Sequence, residues 1–379
     1  MASANAKALA GLAALAVAMG IGRFAFTPVL PMMLQHGELS MRAGAWLASA
    51  NYFGYLLGAL SALMLNIRPE RAIRGGLLVI CITTLAMALP LPYVVWLLLR
   101  LGAGTASAWV LISVSAWCLA TLSGYKRPFL NGLVFAGVGT GIAAAGLLCF
   151  FLNKFNAGSS SAWAALGLLA SLATAWIWPC FALQLPESGP GLPSIEGSFD
   201  WNADAVRLTC CYGIFGFCYI IPATFLPVMA KSVLQDAASF GLSWPVFGLA
   251  AALSTLCVTH LARRIGNRRL WMASQWIMAL GLVLPILWPQ LLSIFAASLC
   301  VGGTFMVITL VALQEAKLIA GGAPKILIAA MTSAFAGGQI IGPLTVNAAA
   351  LGNTGFSTSL AIAAVLLVVS TLLLRKRRI

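Results

Sequence analysis

The chain reads as long apolar runs broken by short polar punctuation. Twelve runs approach or exceed the roughly 20 residues that a helix needs to cross a bilayer's hydrocarbon. They cover about 8–34, 43–65, 75–94, 95–120, 128–152, 160–184, 205–230, 243–262, 270–288, 291–314, 326–350 and 356–374. The runs are apolar all round, so helical periodicity does not separate a buried face from a lipid face. The first run continues through Met33. That is too long for the apolar part of a signal peptide, so Lys7 and Ala16-Val17-Ala18 belong to a retained first span and not to a cleaved leader.

Composition sharpens this picture. Of 379 residues, 61% are hydrophobic and 8% charged. Soluble domains carry roughly 25% charged residues, so a soluble enzyme, a disordered chain and a nucleic-acid-binding domain are all excluded. The net charge of +14 would suggest nucleic acid in a soluble protein. Here the basic residues sit in clusters between spans, as they do on the cytoplasmic side of membrane proteins. With the N-terminus inside, seventeen Lys and Arg fall in cytoplasmic segments and three, Arg42, Lys154 and Lys231, fall outside. This predicts an even number of spans, both termini cytoplasmic, in a bacterial-type inner (plasma) membrane.

The nine cysteines form no CxxC pair and the only histidines are His36 and His260. A zinc site or disulfide framework needs spaced pairs, so neither a metal nor a cofactor is expected. No nucleophile–base pair marks an enzyme.

The longest polar stretch, 186–204, is rich in Pro, Gly and acids. It reads as a cytoplasmic linker between residues 1–185 and 205–379, each holding six spans. The halves are weakly alike. A shift of 196 places Gly20 on Gly216, Arg23 on Tyr219, Pro31 on Pro227 and Met33 on Met229. Phe-Ala-Gly occurs at 135–137 and 335–337, and Gly-Thr at 104–105 and 303–304. The common order points to duplication.

Two parallel six-span repeats joined by a cytoplasmic loop resemble the major facilitator superfamily of secondary transporters. Leu261-Ala262-Arg263-Arg264-Ile265-Gly266-Asn267-Arg268-Arg269 is similar to that family's glycine-containing basic gating loop. It has Arg263 where the family usually has Asp, and the matching segment 66–71 also lacks that Asp. Arg100-Leu101-Gly102-Ala103-Gly104 and Gly338-Gln339-Ile340-Ile341-Gly342-Pro343 look like the family's patterns in its fourth and eleventh spans. Within the superfamily, Gly-Ile-Gly-Arg-Phe-Ala-Phe-Thr-Pro at 20–28 and Ala-Asn-Tyr-Phe-Gly-Tyr-Leu-Leu-Gly-Ala at 50–59 resemble the YbfB/YjiJ-like branch. The resemblance implies an all-α membrane protein of two six-helix bundles related by a pseudo-twofold axis, with the substrate between them.

Chemistry is expected where a charge lies within a span. Burying one near the bilayer centre costs about 2.5 kcal/mol or more. Arg23 and Arg100 do so, both roughly 10–15 Å below the outer surface at 1.5 Å per residue. No carboxylate lies at that depth; Glu315 comes nearest to a membrane interior. An anionic substrate supplies the missing partner, since guanidinium grips carboxylate, sulfate or phosphate in bidentate fashion. The alternative for Arg100 is structural, donating to carbonyls at a helix break. Asn51, Tyr55, Tyr219, Thr304 and Gln339 are the neutral candidates for the same pocket, each of which could instead make an interhelical hydrogen bond. The expected partners are a small-molecule substrate, an anion first, and membrane lipids, with the chain acting as a monomer. The rival reading is an exporter of lipophilic or cationic compounds. A carrier proton would ride on the substrate, Glu315, Glu38 or His36.

Overall fold

The computed structural model describes residues 4–64, 67–122, 128–182, 201–233, 240–320, 324–349 and 355–375. Residues 186–200 of the expected linker 186–204 lie outside these. The first helix, α1, runs Ala4–Gln35. It is followed by α2 (Met41–Met64), α3 (Pro69–Ala86), α4 (Tyr93–Leu122), α5 (Pro128–Lys154) and α6 (Ser159–Ile177). The second set is α7 (Ala203–Val233), α8 (Ser243–Ile265), α9 (Asn267–Leu287), α10 (Leu291–Ile319), α11 (Pro324–Ala349) and α12 (Gly355–Arg375). Ten of these are long and apolar enough to cross a membrane by length and composition. The other two are α2, which carries Arg42, Asn51, Tyr52 and Tyr55, and the 18-residue α3, which opens Pro69-Glu70-Arg71. Asn51, Tyr52 and Tyr55 of α2 are buried, whereas Arg42 is exposed.

Helix pairings repeat with a step of six. In the first set α2 packs on α4, α4 on α3, α1 on α5 and α3 on α6; in the second α8 packs on α10, α10 on α9, α7 on α11 and α9 on α12. The close crossings repeat as well. A Cβ on Gly104 would stand 2.0 Å from the Asn51 carbonyl oxygen, and one on Gly302 would stand 2.3 Å from the Phe247 carbonyl oxygen. The contact glycine of α10 is therefore Gly302, one residue before the Gly303-Thr304 pair that sequence matching sets against Gly104-Thr105. Leu172 on α6 and Ile82 on α3, each more than 60% exposed, show that these outer helices present aliphatic side chains to the surroundings.

The two sets meet along α5–α8, α2–α11 and α1–α7. The first two seams exchange under the sixfold step, as a pseudo-twofold axis requires. Thr27 Oγ1 donates to the Ala223 carbonyl at 2.7 Å, across a sequence separation of 196. These two residues are repeat equivalents, and a residue that touches its own equivalent lies beside the axis. The α5–α8 seam is closed by glycine. A Cβ on Gly139 would stand 2.3 Å from Ala252 N, and one on Gly248 2.3 Å from Ala143 N.

At the end of the molecule that carries the α8–α9 connection, Gly266 holds φ +85° with open space at its Cβ position. The demand is therefore on the backbone alone, and it lets α9 start directly after α8. Of the basic residues here, Arg263, Arg264 and Arg269 are exposed, whereas Arg268 is buried. Arg268 Nε donates to Glu315 Oε1 at 2.7 Å, and its Nη2 to Asp204, which Arg207 also reaches at 2.9 Å. This arginine thus ties the starts of α7 and α9 to the end of α10. Arg268→Ala leaves Glu315 without this donor and Asp204 with Arg207 alone. Because Asp204 is 32% exposed, the expected loss lies at or below the lower end of the about 3–5 kcal/mol seen when one side of a buried pair is removed. An unchanged melting temperature would show that the cluster is solvated.

Candidate substrate site between the two halves

The site is built on an interruption of α1. Its middle, Ala16–Arg23, is a π-helix, and Phe24 and Ala25 form a turn before the α-helix resumes at Phe26. Pro28 lacks the N–H that would bond the Phe24 carbonyl in an α-helix. Thr27 N–H takes that carbonyl instead, at 3.1 Å. The Gly22 and Arg23 carbonyls must then be satisfied from elsewhere, since buried backbone groups in a membrane do not stay unpaired. Arg100 of α4 donates to both, Nη1 to Gly22 O at 3.3 Å and Nη2 to Arg23 O at 3.1 Å. Asn51 Nδ2 of α2 donates to Gly22 O at 3.2 Å and to Arg100 O at 2.9 Å. Arg100 and Asn51 therefore brace the break. Asn51→Leu removes the donor that joins α1, α2 and α4 and is expected to cost about 1–3 kcal/mol of stability, read as a lower melting temperature; Asn51→Ser, which keeps a donor, is expected to recover part of it.

The break turns Arg23 toward the other half. Its guanidinium lies over the Tyr55 ring, with Cζ 3.7 Å from the ring centroid, and its centre is within 5.4 and 5.5 Å of the Tyr52 and Phe24 rings. Nη2 donates to Gln339 Oε1 of α11, and Gln339 Nε2 donates to the Tyr219 hydroxyl of α7. The amide orientation follows from the arginine, which has only donors and so needs the oxygen facing it. Arg23 and Tyr219 are repeat equivalents, and both meet Gln339. Arg23 Nε and Nη1 are buried with no hydrogen-bond partner. Arg23 and Tyr219 are each 2% exposed and Gln339 is 0% exposed, so the site is sealed in this conformation.

Further bonds tie the halves at the same level. Tyr52 OH pairs with Thr224 Oγ1 at 2.8 Å, and Ser49 Oγ donates to the Ile340 carbonyl at 3.0 Å. Ser49 lies eight residues into α2, about 12 Å along it, on the side away from the basic α8–α9 connection. The aromatic walls come mainly from the second half. Tyr219 is stacked on Phe305 at 5.7 Å and on Phe335 at 5.5 Å, and Phe24 meets Phe305 edge-on at 6.2 Å.

Of the residues named from sequence, the structure brings Arg23, Tyr55, Tyr219 and Gln339 together. Asn51 and Arg100 stand behind them. Thr304 turns away, its hydroxyl donating to the Cys300 carbonyl of its own helix at 2.6 Å. Arg263, Arg264, Gly266, Arg268 and Arg269 lie at the end of the molecule described above, remote from the pocket in sequence and in bonding. Glu315 is engaged by Arg268, His36 Nδ1 pairs with the Met32 carbonyl at 2.8 Å, and Glu38 accepts from Ser159 Oγ at 2.6 Å. Sequence reading missed Tyr52, Thr27, Ser49 and Phe305. Tyr52 and Tyr55 are three residues apart, which places both rings on one helix face. The shift of 196 that pairs Thr27 with Ala223 was a further usable signal.

Residues 15–375 match the family model described as "Uncharacterised MFS-type transporter YbfB". No protein of curated function matches the chain. The match spans both helix sets. The chain belongs to the YbfB family of major-facilitator-type transporters, multi-pass membrane carriers and not enzymes.

Proposed function

We propose that this transporter moves a small anion by alternating access, with Arg23 as the group that grips it. The observation that carries this reading is Arg23 itself: a guanidinium, 2% exposed and between the halves, with two nitrogens unpaired. Among the described residues its side chain meets an amide and rings, the Arg100 guanidinium bonds its carbonyl from behind, and no carboxylate stands beside it. A buried charge without a counter-charge is costly, and an anion that arrives during the cycle removes that cost. Gln339 Oε1 holds one donor in the meantime. Tyr55 and Tyr219 offer further hydroxyl contacts once Gln339 moves, and Arg100 and Asn51 hold the α1 break in shape.

The orientation follows the basic residues, with both termini and the α8–α9 connection in the cytoplasm. The hydrogen bonds joining the halves then lie toward the outer side, and rocking opens the site to the cytoplasm. Export of cations, the rival reading, asks for an acid at the site. The described acids Glu38, Glu70, Asp204 and Glu315 lie in the α1–α2 connection or near helix ends.

The test is a thermal-shift screen of detergent-purified protein against small anions, cations and neutral metabolites. A ligand at 100 times its dissociation constant adds about 2.7 kcal/mol. Stabilisation by anions supports the reading; stabilisation by cations alone replaces it with the exporter.

A further inference from the structure

Three properties of the same site narrow its ligand, and the narrowing rests on the reading of Arg23 as the anion-gripping group. The first is charge. Arg23 keeps Nε and Nη1 without partners, whereas Arg100 spends Nη1 and Nη2 on the Gly22 and Arg23 carbonyls and has Nε alone left. Arg23 is thus the one group here with two nitrogens to give, and a second carboxylate on the ligand would be buried without such a grip.

The second is the small number of free polar groups: beside Arg23, the Tyr55 and Tyr219 hydroxyls are what the described residues offer once Gln339 moves. The Tyr52 hydroxyl is paired with Thr224, the Thr304 hydroxyl with its own helix, and the two ends of the Gln339 amide with Arg23 and Tyr219. A sugar acid would bury hydroxyls with few partners, and each unpaired one weakens binding. An amino acid would in addition bury an ammonium with no described carboxylate beside it.

The third is the wall. Around Arg23 stand the rings of Tyr55 and Phe24 from one half and Tyr219 and Phe305 from the other, the last two nearly parallel at 3°. Flat apolar rings favour a flat apolar ligand.

From these we infer that the substrate class is the aromatic monocarboxylates: one carboxylate on Arg23, displacing the Gln339 oxygen, and a ring against Tyr219 and Phe305. The displacement frees the one link that Arg23 makes to α11, so ligand entry and loosening of the halves are a single event.

The test compares benzoate with benzyl alcohol (ring, no charge), lactate (charge, no ring) and phthalate (ring, two charges), by thermal shift on the full-length protein in detergent. Benzoate is expected to bind at least tenfold more tightly than the other three. In Phe305→Leu, the benzoate advantage over lactate is expected to shrink while any lactate response stays. In Arg23→Gln, the benzoate response is expected to vanish, and Arg23→Lys guards against a folding artefact by keeping the charge. Lactate, phthalate or an inorganic anion binding as well as benzoate, with dependence on Arg23, would overturn the aromatic class and leave the anion reading standing. Benzoate binding that persists unchanged in Arg23→Gln, or no response to any anion, would overturn both.

Discussion

Gln339→Glu is expected to raise the melting temperature of the ligand-free protein and to stop transport. The native amide oxygen already accepts from Arg23 Nη2. A carboxylate there turns a hydrogen bond between a charged and a neutral group into a buried ion pair, and it supplies the counter-charge that Arg23 otherwise lacks. Loss of one partner of such a pair costs about 3–5 kcal/mol, so supplying the partner is expected to return about 2–3 kcal/mol after the cost of burying the new charge. The same bond then joins α1 to α11 in every molecule. An anion can no longer displace its rival without breaking a salt bridge, so ligand-dependent stabilisation is expected to disappear along with transport. Gln339→Met, which fills similar space without an acceptor, is expected to lower stability instead. A Gln339→Glu variant that transports normally would mean that the Arg23–Gln339 bond is not remade in each cycle.

The second large effect is expected at the α5–α8 seam. In Gly139→Val the new Cβ would stand 2.3 Å from Ala252 N and 2.5 Å from Gly248 O. Both are backbone atoms, so no side-chain rotation relieves the clash and the helices must part. Overpacking of this kind costs about 1–3 kcal/mol. Because the seam joins the two halves, that cost falls mainly on the conformation described here, while each bundle keeps its own packing. A bias of about 2 kcal/mol changes the ratio of two conformations roughly 30-fold. The readout is labelling of a cysteine placed at Ser49 by a membrane-impermeant thiol reagent, with the exposed Cys210 and Cys257 first replaced by serine. Labelling is expected to be slow in the parent and fast in Gly139→Val. Gly75→Val is the control, since a Cβ there meets nothing within 4 Å. Equal labelling in all three would show that the seam does not govern closure.

The parts of this protein that sequence reveals are those that water or lipid would punish. A hydrocarbon-crossing helix must be apolar over its length, so the spans are legible to within a few residues: 8–34 expected against Ala4–Gln35 found, 95–120 against Tyr93–Leu122. A charge inside such a run is conspicuous, which is why Arg23 and Arg100 stand out. What the two arginines do is less legible. Their roles diverge because the π-helical segment of α1 frees the Gly22 and Arg23 carbonyls, and which nearby side chain reaches them depends on how α4 crosses α1. Thr304 illustrates the same limit: a hydroxyl in an apolar helix can turn to its own backbone at no cost. Phe305 was invisible because an aromatic ring in a span reads alike whether it faces lipid, a neighbouring helix or a ligand. The repeat was legible in order but not in register at α10, where Gly302 and not Gly303 makes the close crossing.

Uptake of the stabilising anion into proteoliposomes, compared between the parent and Arg23→Gln, tests the central claim most directly. Removing one side of a desolvated charge pair costs about 2–5 kcal/mol. The parent is expected to accumulate or exchange the anion, and Arg23→Gln to do so at least about 30-fold more slowly, with Arg23→Lys in between because it keeps the charge and loses the bidentate geometry. Arg23→Gln that folds, as judged by an unchanged elution volume, and carries the anion at the parental rate would contradict the account.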